Sequence, residues 1–136
     1  MELPQHGFLN LHFSLLPAYR GAAPAQRCLQ NGDSVTGVSV FQLEKGMDTG
    51  PIYAQSSIQI NPSWRSFELL SVLAQEGPAV IDRALTMISD GVSPTPQSGT
   101  ATLAAKISKA EAQIDFTQSA ESVVNAIRAF TYEPGS

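Results

Sequence analysis

The sequence predicts an α/β fold, with a sheet of short strands backed by helices and a helical linker segment at the C-terminal end. Two observations carry this. Runs of β character occur at 8–13, 35–43 and 51–60, and apolar residues recur at helical spacing between 63 and 90 and again from 119 to 130. The 136 residues, 43% hydrophobic and 15% charged, suffice for one core and are too few for two.

In the first strand, "FLNLHF", the two-residue period sets Phe8, Asn10 and His12 on one face and Leu9, Leu11 and Phe13 on the other. Two polar groups side by side at a strand's C-terminal end face the crevice where open α/β sheets bind ligands. A strand apolar on both faces normally lies within a parallel sheet, which predicts neighbours from outside this stretch. Pro17 and Gly21 mark the following turn, and "AAPAQRCLQNG" reads as a short helix closed by Asn31 and Gly32.

"VTGVSVFQL" and "PIYAQSSIQI" are the next strands, joined by "EKGMDTG". There Gly46 and Gly50 bracket Asp48, which predicts backbone conformations closed to other residues. From Ser63 to Asp90 a helix is expected, with Phe67, Leu70, Leu73 and Ala74, then Ile81, Ala84, Leu85 and Ile88, on its buried face. Ser63 or Ser66 is its expected cap, Pro78 its expected kink or break near Gly77, and Gly91 its end. Residues 91–105, poor in charge and rich in Pro, Ser, Thr and Gly, read as a linker or surface excursion. An extended "AQIDF" and a last helix, Ser119 to Phe130, stopped by "EPGS", complete the chain.

Cys28 is the only cysteine, which rules out an intrachain disulfide or a multi-cysteine metal site, and it reads as a buried small hydrophobe. No stretch has the length or apolarity to span a bilayer, and "MELPQHGFLN" lacks the regions of a signal peptide, so a cytoplasmic protein with no membrane partner is expected. A net charge of -4 argues against a general nucleic-acid-binding surface.

Taken singly, His12 reads as a hydrogen-bonded core histidine, Asp48 as a turn former and Asn10 as a strand-end cap. Together an amide, an imidazole and a carboxylate suit attack by an amine on a carbonyl carbon. Asn10 and His12 donate to the developing oxyanion, while Asp48 favours the imidazolium and helps to move the amine's proton. Ser14 reads as a turn residue and Arg20 as exposed or salt-bridged.

"NLHFSLLPAYRGAAPAQRCLQNGDSVTGV" followed by "EKGMDTGPI" resembles the folate-dependent formyltransferase family, in which Asn-x-His, Ser-Leu-Leu-Pro and Asp-x-Gly elements recur in this order. The resemblance implies that residues 1–92 are the C-terminal half of a Rossmann-like formyltransferase domain with a mixed sheet. It implies catalytic roles for Asn10, His12 and Asp48, a pterin pocket lined in part by Gly46, Met47 and Thr49, 10-formyltetrahydrofolate as co-substrate, and no metal. "YRGAAPAQR", "TGVSVFQLEKGMDTG" and "KISKAEAQIDFTQSAESVVNAIRAF" are most similar to the branch that formylates methionyl initiator tRNA. On that resemblance residues 93–136 are a linker toward a tRNA-binding domain, and this chain is the middle of a longer one.

Such a chain is expected to be inactive or slow alone, and prone to self-association through an exposed sheet edge. The alternatives are another folate-dependent formyltransferase, a formyltetrahydrofolate hydrolase, or a noncatalytic remnant.

Overall fold

The structure, a computed structural model, describes residues 4–130. Its elements are β1 (Leu9–His12), α1 (Pro24–Gln30), β2 (Val35–Gln42), β3 (Ile52–Gln59), α2 (Ser66–Ser89) and α3 (Ala120–Phe130). The expected stop at "EPGS" lies outside the described residues.

The sheet has the order β1-β2-β3, and both pairings are antiparallel, with Leu9 opposite Gln42, His12 opposite Ser39, and Val35 opposite Gln59. The sequence predicts a mixed sheet; among the described residues no parallel strand pair joins it. The chain leaves β1 beside His12, and α1 has only seven residues, about 10 Å of helix at 1.5 Å per residue. It does not carry the chain back along the sheet, so β2 enters from the end at which β1 stops. A register shift between Val40 and Phe41, which lie opposite Ala54 and Ile52, leaves Tyr53 as an extra residue on β3.

The core lies between the sheet and α2 and continues to α1 and α3. Val38 and Val40 of β2, Leu69, Leu73, Val80 and Ala84 of α2, Ala25, Cys28 and Leu29 of α1 and Ala129 of α3 form one buried cluster. Cys28 is fully buried, and burial pushes its thiol up to about 12.

The buried face of α2 is Ser66, Leu69, Leu73, Gly77, Val80 and Ala84, not the expected stripe, of which only Leu73 and Ala84 are buried. Phe67 is 54% and Leu85 52% exposed. Two adjacent apolar stripes run along this helix, and the buried one includes Gly77. A β-carbon there would come within 2.6 Å of Leu11 Cδ2, so α2 approaches β1 closely at this glycine.

Neither expected cap serves. Ser63 donates to Asn61 Oδ1 from its backbone and its hydroxyl, and Arg65 is the N-cap, its N–H bonded to Glu68 Oε2 at 3.0 Å. The helix continues unbroken through Pro78, which sits on the exposed side while Leu73, Gly77 and Val80 hold the opposite side against the core. At α3, Ser119 Oγ accepts from Ser122 N–H at 3.1 Å, an N-cap bond. "AQIDF" is turned rather than extended, because Asp115 accepts from Thr117 N–H two residues on and so competes with a strand.

Residues 95–104, expected as a linker or excursion, are pinned to the body. Thr95 and Ile52 exchange backbone hydrogen bonds of 2.7 and 2.8 Å, and Ala104 bonds Arg20 and Ala23. Arg83 donates to Gln55 O at 2.8 Å, covering another part of the outer edge of β3. Among the described residues no helix is long and apolar enough to cross a membrane.

Candidate active site

His12, at the end of β1, is 6% exposed. Its Nε2 lies 2.8 Å from the carbonyl oxygen of Tyr19, which only accepts, so Nε2 carries a proton and donates. Nδ1 therefore faces the loop after β2, where Asp48 Oδ2 stands at 3.7 Å. Nδ1 carries a hydrogen only as imidazolium, and the carboxylate is the counter-charge that form requires. Phe41, fully buried, meets the imidazole edge-on with ring centroids 6.4 Å apart.

The backbone at both flanks of the imidazole is left-handed. Tyr19 has φ 58° and Asp48 φ 54°, a region disfavoured by L residues and reached more easily by Asp than by an aromatic. Tyr19 is held there from three sides: its N–H bonds Thr102 Oγ1 at 2.8 Å, its carbonyl accepts from His12, and its phenol donates to Asp33 Oδ2 at 2.6 Å. Burial, together with the Asp33 carboxylate, raises the phenol well above its ordinary range. Asp48 is held by Gly21 N–H, 2.8 Å from Oδ2.

Gly46 and Gly50 act differently from the expectation. Neither is among the glycines with positive φ; Asp48 itself adopts that conformation. Side-chain room is what these positions lack: a β-carbon at Gly50 would overlap the Gln42 carbonyl, and one at Gly46 would meet the Thr49 side chain. Thr49 Oγ1 donates to Glu44 Oε1 at 2.6 Å, which closes the loop, and Met47 projects from it 60% exposed.

Asn10 lies two residues before His12 on β1, opposite Phe41, and is exposed. The fold thus brings His12 and Asp48 together and presents Asn10 on the same strand face. Ser14 donates to Ala18 O at 2.5 Å, as a turn residue does. Arg20 is bound through Nε and Nη2 to Gln97 Oε1, at 3.2 and 2.7 Å.

Sequence reasoning passed over Tyr19, Ser39, Gln55 and Gln97. Buried Ser39 donates to Ser14 O at 2.6 Å and accepts from Leu16 N–H and Gln55 Nε2, so β2 and β3 fix the turn at 14–17. The available signal is Ser39 itself within "VTGVSVFQL", since a serine amid apolar strand residues needs partners. Among the described residues, no three His, Cys, Asp or Glu side chains are gathered as a metal site.

The formyl transferase family profile matches residues 1–85, more than half of the chain, and that of the formyl transferase C-terminal domain matches 106–136. The chain belongs to the formyl transferase family. Among its relatives in that family, the methionyl-tRNA formyltransferase of Salinispora arenicola is 45% identical over 99% of this chain, and that of Arthrobacter sp. 42% identical over 100%. The chain spans 44% and 45% of their lengths.

Solved structures of formyl transferases show the same fold. An N-formyltransferase from Helicobacter canadensis, in complex with folinic acid and dTDP-3-aminofucose, superposes with a TM-score of 0.83 at 24% identity, over 91% of this chain and 47% of that one. A methionyl-tRNA formyltransferase from Clostridium thermocellum gives 0.70 at 21% identity, over 93% and 54%.

Proposed function

We propose that this chain carries the catalytic centre of a methionyl-tRNA formyltransferase, which moves a formyl group from 10-formyltetrahydrofolate to the α-amine of methionine on initiator tRNA. The observation that carries this reading is His12 facing Asp48 at 3.7 Å, in a chain 45% identical along 99% of its length to such an enzyme. The amine's lone pair attacks the formyl carbon, and the carbonyl π pair moves to oxygen. The Nδ1–H of the His12 imidazolium and the Asn10 amide donate to that oxyanion. Asp48 holds the imidazolium and takes the amine's proton through water. The oxyanion pair then re-forms the carbonyl as the bond to N10 of the folate breaks, the proton taken up by Asp48 passes to N10 through water, and tetrahydrofolate leaves.

Gly46, Met47 and Thr49 line part of the pterin pocket in this reading. The close-packed loop suits a flat ring laid against backbone, since Thr49 Oγ1 is already engaged by Glu44. Residues 1–92 serve as the C-terminal part of a Rossmann-like catalytic domain, and 93–136 as the connection to a domain that holds the tRNA. A cytoplasmic location accords with translation initiation. Relatives of 40–45% identity favour this acceptor over a sugar amine, a purine precursor or water.

The test is a chimera in which this chain replaces the matching stretch of the Salinispora arenicola enzyme, assayed for formylation of methionyl initiator tRNA. Transfer is expected, with kcat falling about 10²- to 10³-fold in His12→Asn and substantially in Asp48→Asn. A folded chimera without transfer, or variants that keep full rate, would refute the reading. The 136-residue chain alone is expected to transfer slowly or not at all; a rate near that of the full-length relative would overturn that expectation.

A further inference from the structure

We propose that Gln97 is a positioning residue: its amide sets the loop that carries Asp48 and ties it to the turn at Arg20. The inference rests on Asp48 being the working carboxylate. Gln97 Nε2 donates to the carbonyls of Asp48 and Gly50, both at 2.8 Å, while Oε1 accepts from Nε and Nη2 of Arg20. Both amide hydrogens thus meet acceptors and the oxygen meets donors, which also fixes the amide's orientation, since a flipped group would set oxygen against two carbonyls. Three segments distant in sequence meet at one side chain.

The geometry makes this arrangement consequential for His12. Asp48 sits at φ 54°, and a left-handed residue persists where its surroundings hold it. Gly21 N–H holds the carboxylate, and Gln97 holds the carbonyl of the same residue. Gly21 follows Arg20, so the two restraints are joined through Gln97 into one ring of bonds around Asp48. Gln97 is itself anchored by the paired backbone bonds between Thr95 and Ile52. No other side chain of this length offers two donors and an acceptor at one end: glutamate lacks the hydrogens, and lysine lacks the acceptor.

The test is nuclear magnetic resonance on the 136-residue chain, which holds two histidines, in the parent, Gln97→Glu and Gln97→Met. Glutamate keeps the acceptor for Arg20 and loses both donors to the loop, and methionine removes both functions at similar size. Both variants are expected to move the His12 ring nitrogen resonances and to raise amide exchange about tenfold at Gly21, whose N–H bonds the Asp48 carboxylate, the scale of one lost hydrogen bond. Exchange at Val38, Val40 and Leu73 stays within about twofold of the parent. Unmoved ring resonances with unchanged exchange at Gly21 would overturn the proposal, as would a rise spread equally through β2 and α2. In the chimera, kcat falls with KM retained. An inactive chimera would count against the catalytic reading, whereas the resonance and exchange results judge Gln97 independently.

Discussion

Glu111 shows how much one exposed side chain organises locally. Its carboxylate accepts from Arg27 Nη1 at 2.9 Å and from Ser108 N–H and Oγ at 3.0 Å, while Glu111 N–H bonds back to Ser108 Oγ. Arg27 also holds the carbonyl of Ala105, so this clip fastens the segment after 104 to α1. The Arg27 guanidinium, with the Ser108 bonds, lowers the carboxyl to about 2. A depressed acid stabilises the fold above its ordinary value of 4.5 and ceases to do so as pH falls through about 2. The stability difference between the parent and Glu111→Gln is therefore expected to narrow between those pH values, as read by urea titration, and to be flat above pH ~6. Residues were legible one at a time where type and spacing sufficed: Asn10, His12 and Asp48 were named from sequence, and the fold brings the latter two face to face. Tyr19 and Gln97 were not legible, because a carbonyl lent to an imidazole and an amide closing a ring of distant segments leave no local pattern.

At the scale of elements, the strands and helices follow the periodicities, whereas the face that each helix buries does not follow from period alone. α2 offers two stripes, and the buried one carries Gly77, which lies against Leu11. Glycines of different roles make this testable. Gly77→Ala gains about 1 kcal/mol of helix propensity and only displaces the tip of Leu11, so its stability in urea is expected within about 1 kcal/mol of the parent. Gly50→Ala drives a β-carbon into the Gln42 carbonyl, and a loss of about 3 kcal/mol is expected. Equal effects would show that the two glycines are not distinguished by what they touch. The stretch 95–104 reads as slack from composition, yet it is bonded across the turn at 17–23. Composition reports what a segment lacks for a core, not where its backbone hydrogen bonds go.

At the scale of the whole molecule, an apolar stripe on α2 and one side of β1 remain without a strand or helix over them among the described residues. An unpaired strand edge is a template for another strand. Concentration-dependent association of the 136-residue chain is expected by size-exclusion chromatography with light scattering; a monomer throughout the micromolar range would contradict it. The two rims of the sheet are not equivalent, however. Thr95 and Arg83 occupy backbone groups along part of the rim formed by β3, while among the described residues no strand pairs with the rim formed by β1. Strand addition is thus favoured at the β1 rim, where two copies joined across a twofold axis use up each other's open edge. Partial cover over one flank turns such addition toward the other and favours a pair over a fibre.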